Sequence, residues 1–132
     1  MVTSRAAADD WRSTGSGGAL EIDRFEPFVT EVERRDGVTL VRPRGDLDVA
    51  SAGTLDAALT GIERAEHLVL DLRGLTFIDS TGLHLLVALQ QRAERDGFEL
   101  SLLAPPAPLA KTIQLCGLHV TLPFVEVADL HV

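Results

Sequence analysis

The sequence predicts an α/β fold: a mixed sheet of four to five strands, opening with an antiparallel hairpin, and about three to four helices packed on it. Three observations support this. Apolar, β-rich runs alternate with helical periodicities through the middle of the chain, which is typical of parallel βα units. The pair Asp36-Gly37 separates the first two β-rich runs, as in a hairpin. Finally, 132 residues, 45% of them hydrophobic, suffice for one domain with a buried core.

The first 21 residues are predicted to form a flexible N-terminal tail, and residues 22–132 the folded domain. Residues 13–18 of this tail are Ser, Thr and Gly only, which is a linker composition. The tail also holds Trp11, the only tryptophan. Trp11 is either a stray aromatic residue, which we favour, or an anchor that docks on the domain or on a partner.

The elements follow in order. Residues 25–33 predict a first strand, 34–37 its turn, and 38–44 a second strand that Pro43 places at an edge or leaving the sheet. The motif Gly45-Asp46-Leu47-Asp48 is expected to be a loop. A helix over residues 51–65 carries an apolar stripe at i, i+3, i+4 and i+7, and Ser51 is its expected N-cap.

A continuous apolar run at residues 67–72 predicts a strand buried on both faces. A loop is expected from there to Gly82, followed by a helix over 83–95 that ends before Gly97. Residues 98–103 predict another strand, and a proline-rich start leads into a helix that ends at Gly117, with Cys116 on its buried face. The segment 120–127, broken by Pro123, is expected to be a final short strand or an extended segment.

Composition excludes several functions. A formal net charge of −8 disfavours nonspecific binding to nucleic acid. The sequence contains no run of about 18 apolar residues, which a membrane-spanning helix would need, so a cytoplasmic protein is expected. The lone Cys116 cannot form an intrachain disulfide, the four histidines lack metal-ligand spacing, and neither a Walker loop nor a dinucleotide fingerprint is present, so neither metal nor cofactor is expected.

The junction Asp79-Ser80-Thr81-Gly82 is the strongest candidate site. It follows a buried strand and precedes a helix, whose first N–H groups favour an anion. Ser80 can therefore cap the helix or accept a phosphate, and residue chemistry alone leaves both open.

Enzymatic interpretations of this junction are weak. The chain has no nucleophile-elbow motif around Ser80, and His84, four residues later, is better interpreted as an exposed helical histidine. An aspartate phosphoacceptor of the receiver-domain kind is disfavoured because Lys111 falls inside a predicted helix and a hairpin replaces the first βα unit.

A longer sequence pattern is more specific than the four-residue junction alone. The motif Gly45-Asp46-Leu47-Asp48, a strand at 68–72 and the run Phe77-Ile78-Asp79-Ser80-Thr81-Gly82-Leu83 resemble the STAS-domain anti-sigma factor antagonists, over roughly residues 25–127. Asp46 stands where the family commonly has Glu, and the segment 118–124 is compressed, which puts a final helix in doubt.

The resemblance implies a bacterial regulator that is not an enzyme. Such a protein binds an anti-sigma factor, usually also an ATP-dependent serine kinase, and thereby frees a sigma factor. The kinase would phosphorylate Ser80 and abolish binding, and a phosphatase would reset the switch. Asp48 and Asp79 would shape the acceptor site, and Thr81-Gly82 would form a flexible start of the helix.

Two alternatives remain open. The chain could be a non-phosphorylated STAS subunit, acting as a structural or ligand-binding module in a transport or signalling complex. It could also bind a nucleotide at the helix start, although no adenine or ribose site is recognisable.

Overall fold

The computed structural model describes residues 27–60, 62 and 66–130. The predicted tail at 1–21 with Trp11, and the predicted domain boundary, lie outside these residues. Within them the chain forms strands β1 (Val29–Arg35), β2 (Val38–Leu47), β3 (His67–Asp71), β4 (Leu75–Ile78), β5 (Glu99–Leu103) and β6 (Phe124–Val125), and helices α1 (Ala52–Thr60), α2 (Ser80–Asp96) and α3 (Ala107–Leu115). The predicted α/β class is confirmed.

The six strands form one mixed sheet in the order β1-β2-β3-β5-β6, with β4 paired to β2 outside this path. β1 and β2 are antiparallel, and the other pairs are parallel. Asp36 (φ 51°) and Gly37 (φ 83°) form the turn between β1 and β2, so the predicted hairpin is confirmed. Two successive positive φ angles are typical of a type I′ turn, which matches the twist of the strands that it joins.

The long strand β2 changes partner along its length. Residues 38–41 pair with β3, and Gly45–Leu47 pair with β4, with an irregularity between Gly45 and Asp46. Pro43, which has no N–H to donate, lies between the two stretches. The strand therefore leaves β3 near the proline, but it continues in the sheet, and the predicted loop at Gly45-Asp46-Leu47 was wrong.

The helices cover one face of the sheet and enclose the main core. Alternate residues of β3 and β5 (Leu68, Leu70, Leu100 and Leu102) join this core with Leu55 and Leu59 of α1 and with Leu83, Leu86 and Leu89 of α2. Val69 and Asp71, on the other face of β3, are buried as well. The prediction that this strand is buried on both faces is confirmed.

Strand β4 was not predicted, because residues 72–82 were interpreted as a loop. It has only four residues, and its two middle side chains, Thr76 and Phe77, are exposed. A strand this short shows too little alternation to be distinguished from a loop. It forms because β2 continues past the end of β3 and offers a free edge.

The C-terminal part also departs from expectation. Helix α3 ends at Leu115, so Cys116 follows the helix and is exposed rather than part of the core. The last strand shrinks to Phe124–Val125 and is followed by a single 3-10 turn, Val127–Asp129.

Helix α1 is described only to Thr60, and the predicted end at Ala65 falls outside the described residues. In the described part of the chain, no helix is long and apolar enough to cross a membrane. The same residues contain no group of three or more His, Cys, Asp or Glu placed to hold a metal ion.

Candidate functional site

Two neighbouring strand ends form the site. Leu47 at the end of β2 pairs with Ile78 at the end of β4, so the next residues, Asp48 and Asp79, begin adjacent loops. The N–H of Asp79 donates to the carbonyl of Leu47 at 3.2 Å, which joins the two loops directly. The fold thus brings together two predicted site residues that lie 31 positions apart in the sequence.

Asp79, and not Ser80, caps helix α2. Its backbone is extended (φ −114°, ψ −172°), and its Oδ1 accepts the N–H of Gly82 at 3.1 Å. The first helical hydrogen bond runs from the N–H of Leu83 to the carbonyl of Asp79, at 3.0 Å. A carboxylate at this position accepts the N–H of Gly82, which would otherwise be unpaired, and its negative charge interacts favourably with the helix dipole. The interpretation of Ser80 as the cap was wrong.

Ser80 is the first residue of α2, and it is exposed. Among the described residues, none forms a hydrogen bond with its hydroxyl group. His84, one turn further along the helix, is exposed as well, as predicted. The Ser80 hydroxyl is therefore accessible at a helix N-terminus and makes no hydrogen bond that holds the described part of the fold.

Asp48 organises the loop that faces this helix start. Its Oδ1 accepts the N–H groups of Ala50 and Ser51, at 3.0 and 3.1 Å. Ser51, the predicted cap of α1, does precede that helix, but its Oγ instead donates to the carbonyl of Asp46 at 2.6 Å and accepts the N–H of Asp48 at 3.0 Å. The Asp48 carboxylate is thus committed to the shape of its own loop.

Gly82 sits where α2 approaches both strand ends. A Cβ atom at this position would lie 2.8 Å from Ile78 Cγ1, 2.9 Å from Leu47 Cγ and 3.0 Å from the Leu47 carbonyl oxygen. The residue is buried in the first turn of the helix, beside the half-buried Thr81. Close packing explains the glycine here, whereas the sequence suggested flexibility.

Two apolar side chains in the segments around these strand ends are exposed. Val49, in the Asp48 loop, is 76% exposed, and Phe77, on β4, is 47% exposed. We call Val49, Phe77 and Ser80 together the edge surface. Large apolar side chains that the fold leaves in water favour a protein contact when they cluster. Val49 and Phe77 were not singled out from the sequence, and the exposure of Phe77 follows from the strand that was not predicted.

A third strand end lies nearby and has a different chemistry. The carboxylate of Asp71, at the end of β3, accepts hydrogen bonds from Arg73 Nε and Nη2, each at 2.9 Å, and lies 3.7 Å from Arg42 Nε. Burial alone would raise the pKa of Asp71, but the hydrogen bonds and positive charge of Arg73 outweigh it and hold that pKa below its usual value. This pair fixes the turn that leads into β4.

Comparison with known proteins gives a consistent result. The profile of the STAS domain matches residues 30–129. The anti-sigma F factor antagonist of Paenibacillus polymyxa is 28% identical over 99 residues, which are 73% of this chain and 85% of that protein. The anti-sigma-F factor antagonist RsfA of Mycobacterium tuberculosis is 27% identical over 96 residues, which are 70% of this chain and 75% of RsfA.

The fold supports the same assignment. The crystal structure of an anti-sigma factor antagonist from Mycobacterium paratuberculosis superposes with a TM-score of 0.69 at 28% identity, covering 77% of this chain and 88% of that one. The order of strands and helices, the paired strand ends and the profile match over most of the sequence agree: this chain belongs to the STAS domain family.

Proposed function

We propose that this chain is an anti-sigma factor antagonist of the cytoplasm. It binds an anti-sigma factor through the edge surface and so releases a sigma factor. The anti-sigma factor is also a serine kinase that phosphorylates Ser80, and the phosphorylated chain no longer binds. A phosphatase restores the active form, and the chain itself is a substrate and not an enzyme.

The observation that supports this proposal most directly is that the Asp79 carboxylate, and not the Ser80 hydroxyl, caps helix α2. Because Asp79 supplies the helix cap, the Ser80 hydroxyl can be modified without loss of a hydrogen bond that holds the fold. The N–H groups of Ser80 and Thr81 precede the first helical hydrogen bond, so they are available to a phosphate at this position. Phosphorylation therefore needs no refolding of α2.

Charge explains how the modification would end binding. Phosphoserine carries about −1.5 to −2 charges at pH 7. Here the phosphate would follow Asp79 directly, at strand ends that also carry Asp48, in a chain of net charge −8. Like charge brought against an interface costs several kcal/mol. Each 1.4 kcal/mol weakens binding about tenfold, so a loss of two or more orders of magnitude is expected.

The direct test uses the partner itself. The chain serves as bait in a pull-down, and the captured anti-sigma factor is then incubated with it and ATP. Mass spectrometry should find one phosphate, on Ser80. Thr81→Ala is the matched control, because it removes the neighbouring hydroxyl from the same helix turn and should leave the phosphate in place. A bound, active kinase that leaves Ser80 unmodified would disprove the switch.

Binding measurements separate the two halves of the proposal. Ser80→Asp should weaken binding by about tenfold or more, since one negative charge imitates the phosphate in part. Ser80→Ala should bind as tightly as the unmodified chain. Equal affinity for both variants would contradict the charge mechanism, and capture of transporter subunits instead of an anti-sigma factor would favour a structural STAS module.

A further inference from the structure

The face of the sheet opposite the helices carries a groove with a volume of about 280 Å³. Leu40, Val69 and Leu103 line its apolar floor, and Val127 and Leu130 of the C-terminal segment also line it. Val69 and Leu103 are buried, yet they do not belong to the core beneath the helices. We call this feature the open-face groove. It lies apart from the edge surface.

The charged residues of the groove make it locally positive. They are three arginines and two acids, which gives a net charge of +1 in a chain whose net charge is −8: Arg35, Arg42, Arg73, Glu33 and Asp71. Arg35 pairs with Glu33 at 3.0 Å and Arg73 with Asp71 at 2.9 Å, and Arg42 lies 3.4 Å from Glu33 and 3.7 Å from Asp71. Each guanidinium has five N–H donors, so these pairs leave donors available. The groove therefore favours an occupant that combines an apolar group with negative charge.

The size of the groove narrows the choice of occupant. Sites for free small-molecule ligands usually measure about 300–1,000 Å³, so this groove lies at their lower limit and suits one large side chain better. The sequence Asp9-Asp10-Trp11-Arg12 has the required chemistry: two carboxylates precede the only tryptophan of the chain, and with Arg12 the segment keeps a net charge of −1. Tryptophan supplies a large apolar area on one rigid side chain.

The position of Pro27 allows this segment to reach the groove. Its carbonyl oxygen lies 3.4 Å from where a Cβ atom of Gly45 would stand, near the carboxyl end of β2. Val29 pairs with Arg44, and Leu40 lies four positions back along β2, about 14 Å away at 3.4 Å per residue. Residues 12–26 can span up to about 50 Å. A tether of this length gives an effective concentration in the millimolar range, so a weak contact suffices.

We propose that Trp11 inserts into the open-face groove of its own chain, with Asp9 and Asp10 against the arginines. The contact covers the apolar sheet face that the helices leave open. This proposal is independent of the function of Ser80 and stands or falls on its own measurements.

Tryptophan fluorescence measures the surroundings of Trp11 directly, because the chain has no other tryptophan. In the full chain its emission should be blue-shifted, and its quenching by acrylamide several-fold weaker, relative to a free peptide of residues 1–26. The double variant Arg35→Glu/Arg42→Glu should restore the emission and quenching of the peptide, and so should Asp9→Asn/Asp10→Asn. The second variant changes only residues that precede the described part of the chain, so it removes none of the described contacts that hold the fold.

A matched control is available on the surface. Arg95 is 70% exposed and pairs with Asp96 at 3.0 Å, as Arg35 is 70% exposed and pairs with Glu33 at 3.0 Å. Arg95→Glu should leave the Trp11 signal unchanged. Emission of the full chain identical to that of the peptide would overturn the proposal. A blue shift that disappears on dilution, together with dimers in sedimentation, would also overturn it, because the occupant would then be a second copy.

Discussion

The two loops at the neighbouring strand ends differ in how their Asp and Ser side chains bind the backbone that leads into a helix. Each begins with an aspartate that follows an apolar strand residue, and each leads into a helix. In the first loop, Asp48 binds the amides of Ala50 and Ser51, and the Ser51 hydroxyl makes two further bonds within the loop. In the second, Asp79 alone caps the helix and the Ser80 hydroxyl is left unused by the described residues.

The difference shows how a fold can use one serine hydroxyl for hydrogen bonds and leave another without them. Ser51 is buried and its hydroxyl is hydrogen-bonded, whereas Ser80 is exposed and its hydroxyl has no hydrogen bond to a described residue. Both serines follow an acid in a loop that precedes a helix, so residue type does not separate them. In both loops an aspartate carboxylate accepts the backbone amides. What separates the two serines is that the Ser51 hydroxyl also bonds the carbonyl of Asp46 and the N–H of Asp48, whereas the Ser80 hydroxyl bonds none of the described residues. Stability measurements can test this distinction without any knowledge of the partner.

The largest effect is expected at the third strand end, where the acid binds side chains instead of amides. Asp71→Asn should lower the free energy of unfolding at pH 7 by about 1.5–3 kcal/mol, because it removes charge-assisted hydrogen bonds from Arg73. The pKa of Asp71 is depressed in the folded chain. Its stabilisation is therefore complete above the unfolded pKa of about 3.9 and is lost as the pH falls through the lower folded value.

Urea unfolding of wild type and Asp71→Asn between pH 7 and pH 2 measures this prediction. The difference between the two proteins should be constant down to about pH 4 and shrink below it. Asp96→Asn is the control, since its partner Arg95 is exposed and solvent screens the pair. A difference for Asp71→Asn that persists unchanged to pH 2 would contradict the assignment.

Close packing of α2 on the two strand ends gives the next effect. Gly82→Ala should destabilise the chain by about 1–3 kcal/mol, because the new methyl group would meet Ile78 and Leu47. Gly53 in α1 is the matched control, since a Cβ atom there meets nothing within 4 Å. Gly53→Ala should stabilise the chain by about 0.4–1 kcal/mol. Thermal unfolding of both variants decides the point, and equal stability of the two would mean that α2 does not approach the strand ends so closely.

The two serines provide the sharpest contrast. Ser51→Ala should cost about 1–2 kcal/mol, since it leaves the carbonyl of Asp46 and the N–H of Asp48 without their partner. Ser80→Ala should change stability by no more than about 0.5 kcal/mol, as is usual for an exposed position. Parallel urea titrations measure both variants. A comparable loss for Ser80→Ala would show that its hydroxyl supports the fold after all.

The sequence was sufficient for the elements that carry strong periodicity. The hairpin at Asp36-Gly37, the buried strand β3 and helix α2 follow from local patterns, because turn chemistry and amphipathicity act over a few residues. Strand β4 did not follow. Its four residues become a strand only through the free edge of β2, and that edge is a tertiary feature.

The sequence predicted which candidate residues lie close together, but not which backbone or side-chain groups each of them binds. Asp48, Asp79 and Ser80 do meet at one edge of the sheet, yet Asp and Ser are both good caps and the sequence could not say which of them serves α2. Cys116 was misplaced for a similar reason. The periodicity continues through it, but α3 ends at Leu115, so the inner face of the helix ends before it.

The cap itself gives the smallest effect and the most specific one. Asp79→Ala should destabilise the chain by about 1 kcal/mol, because the N–H of Gly82 loses its acceptor. Asp79→Asn keeps an acceptor oxygen and should recover the hydrogen-bond part of that loss, with only the charge–dipole contribution, at the low end of about 0.3–1 kcal/mol, missing. Both variants leave Ser80 intact, so phosphorylation of the Asn variant at the wild-type rate would assign Asp79 a structural role alone. If Asp79→Ala were as stable as wild type while Ser80→Ala was not, the roles of the two residues would have to be exchanged.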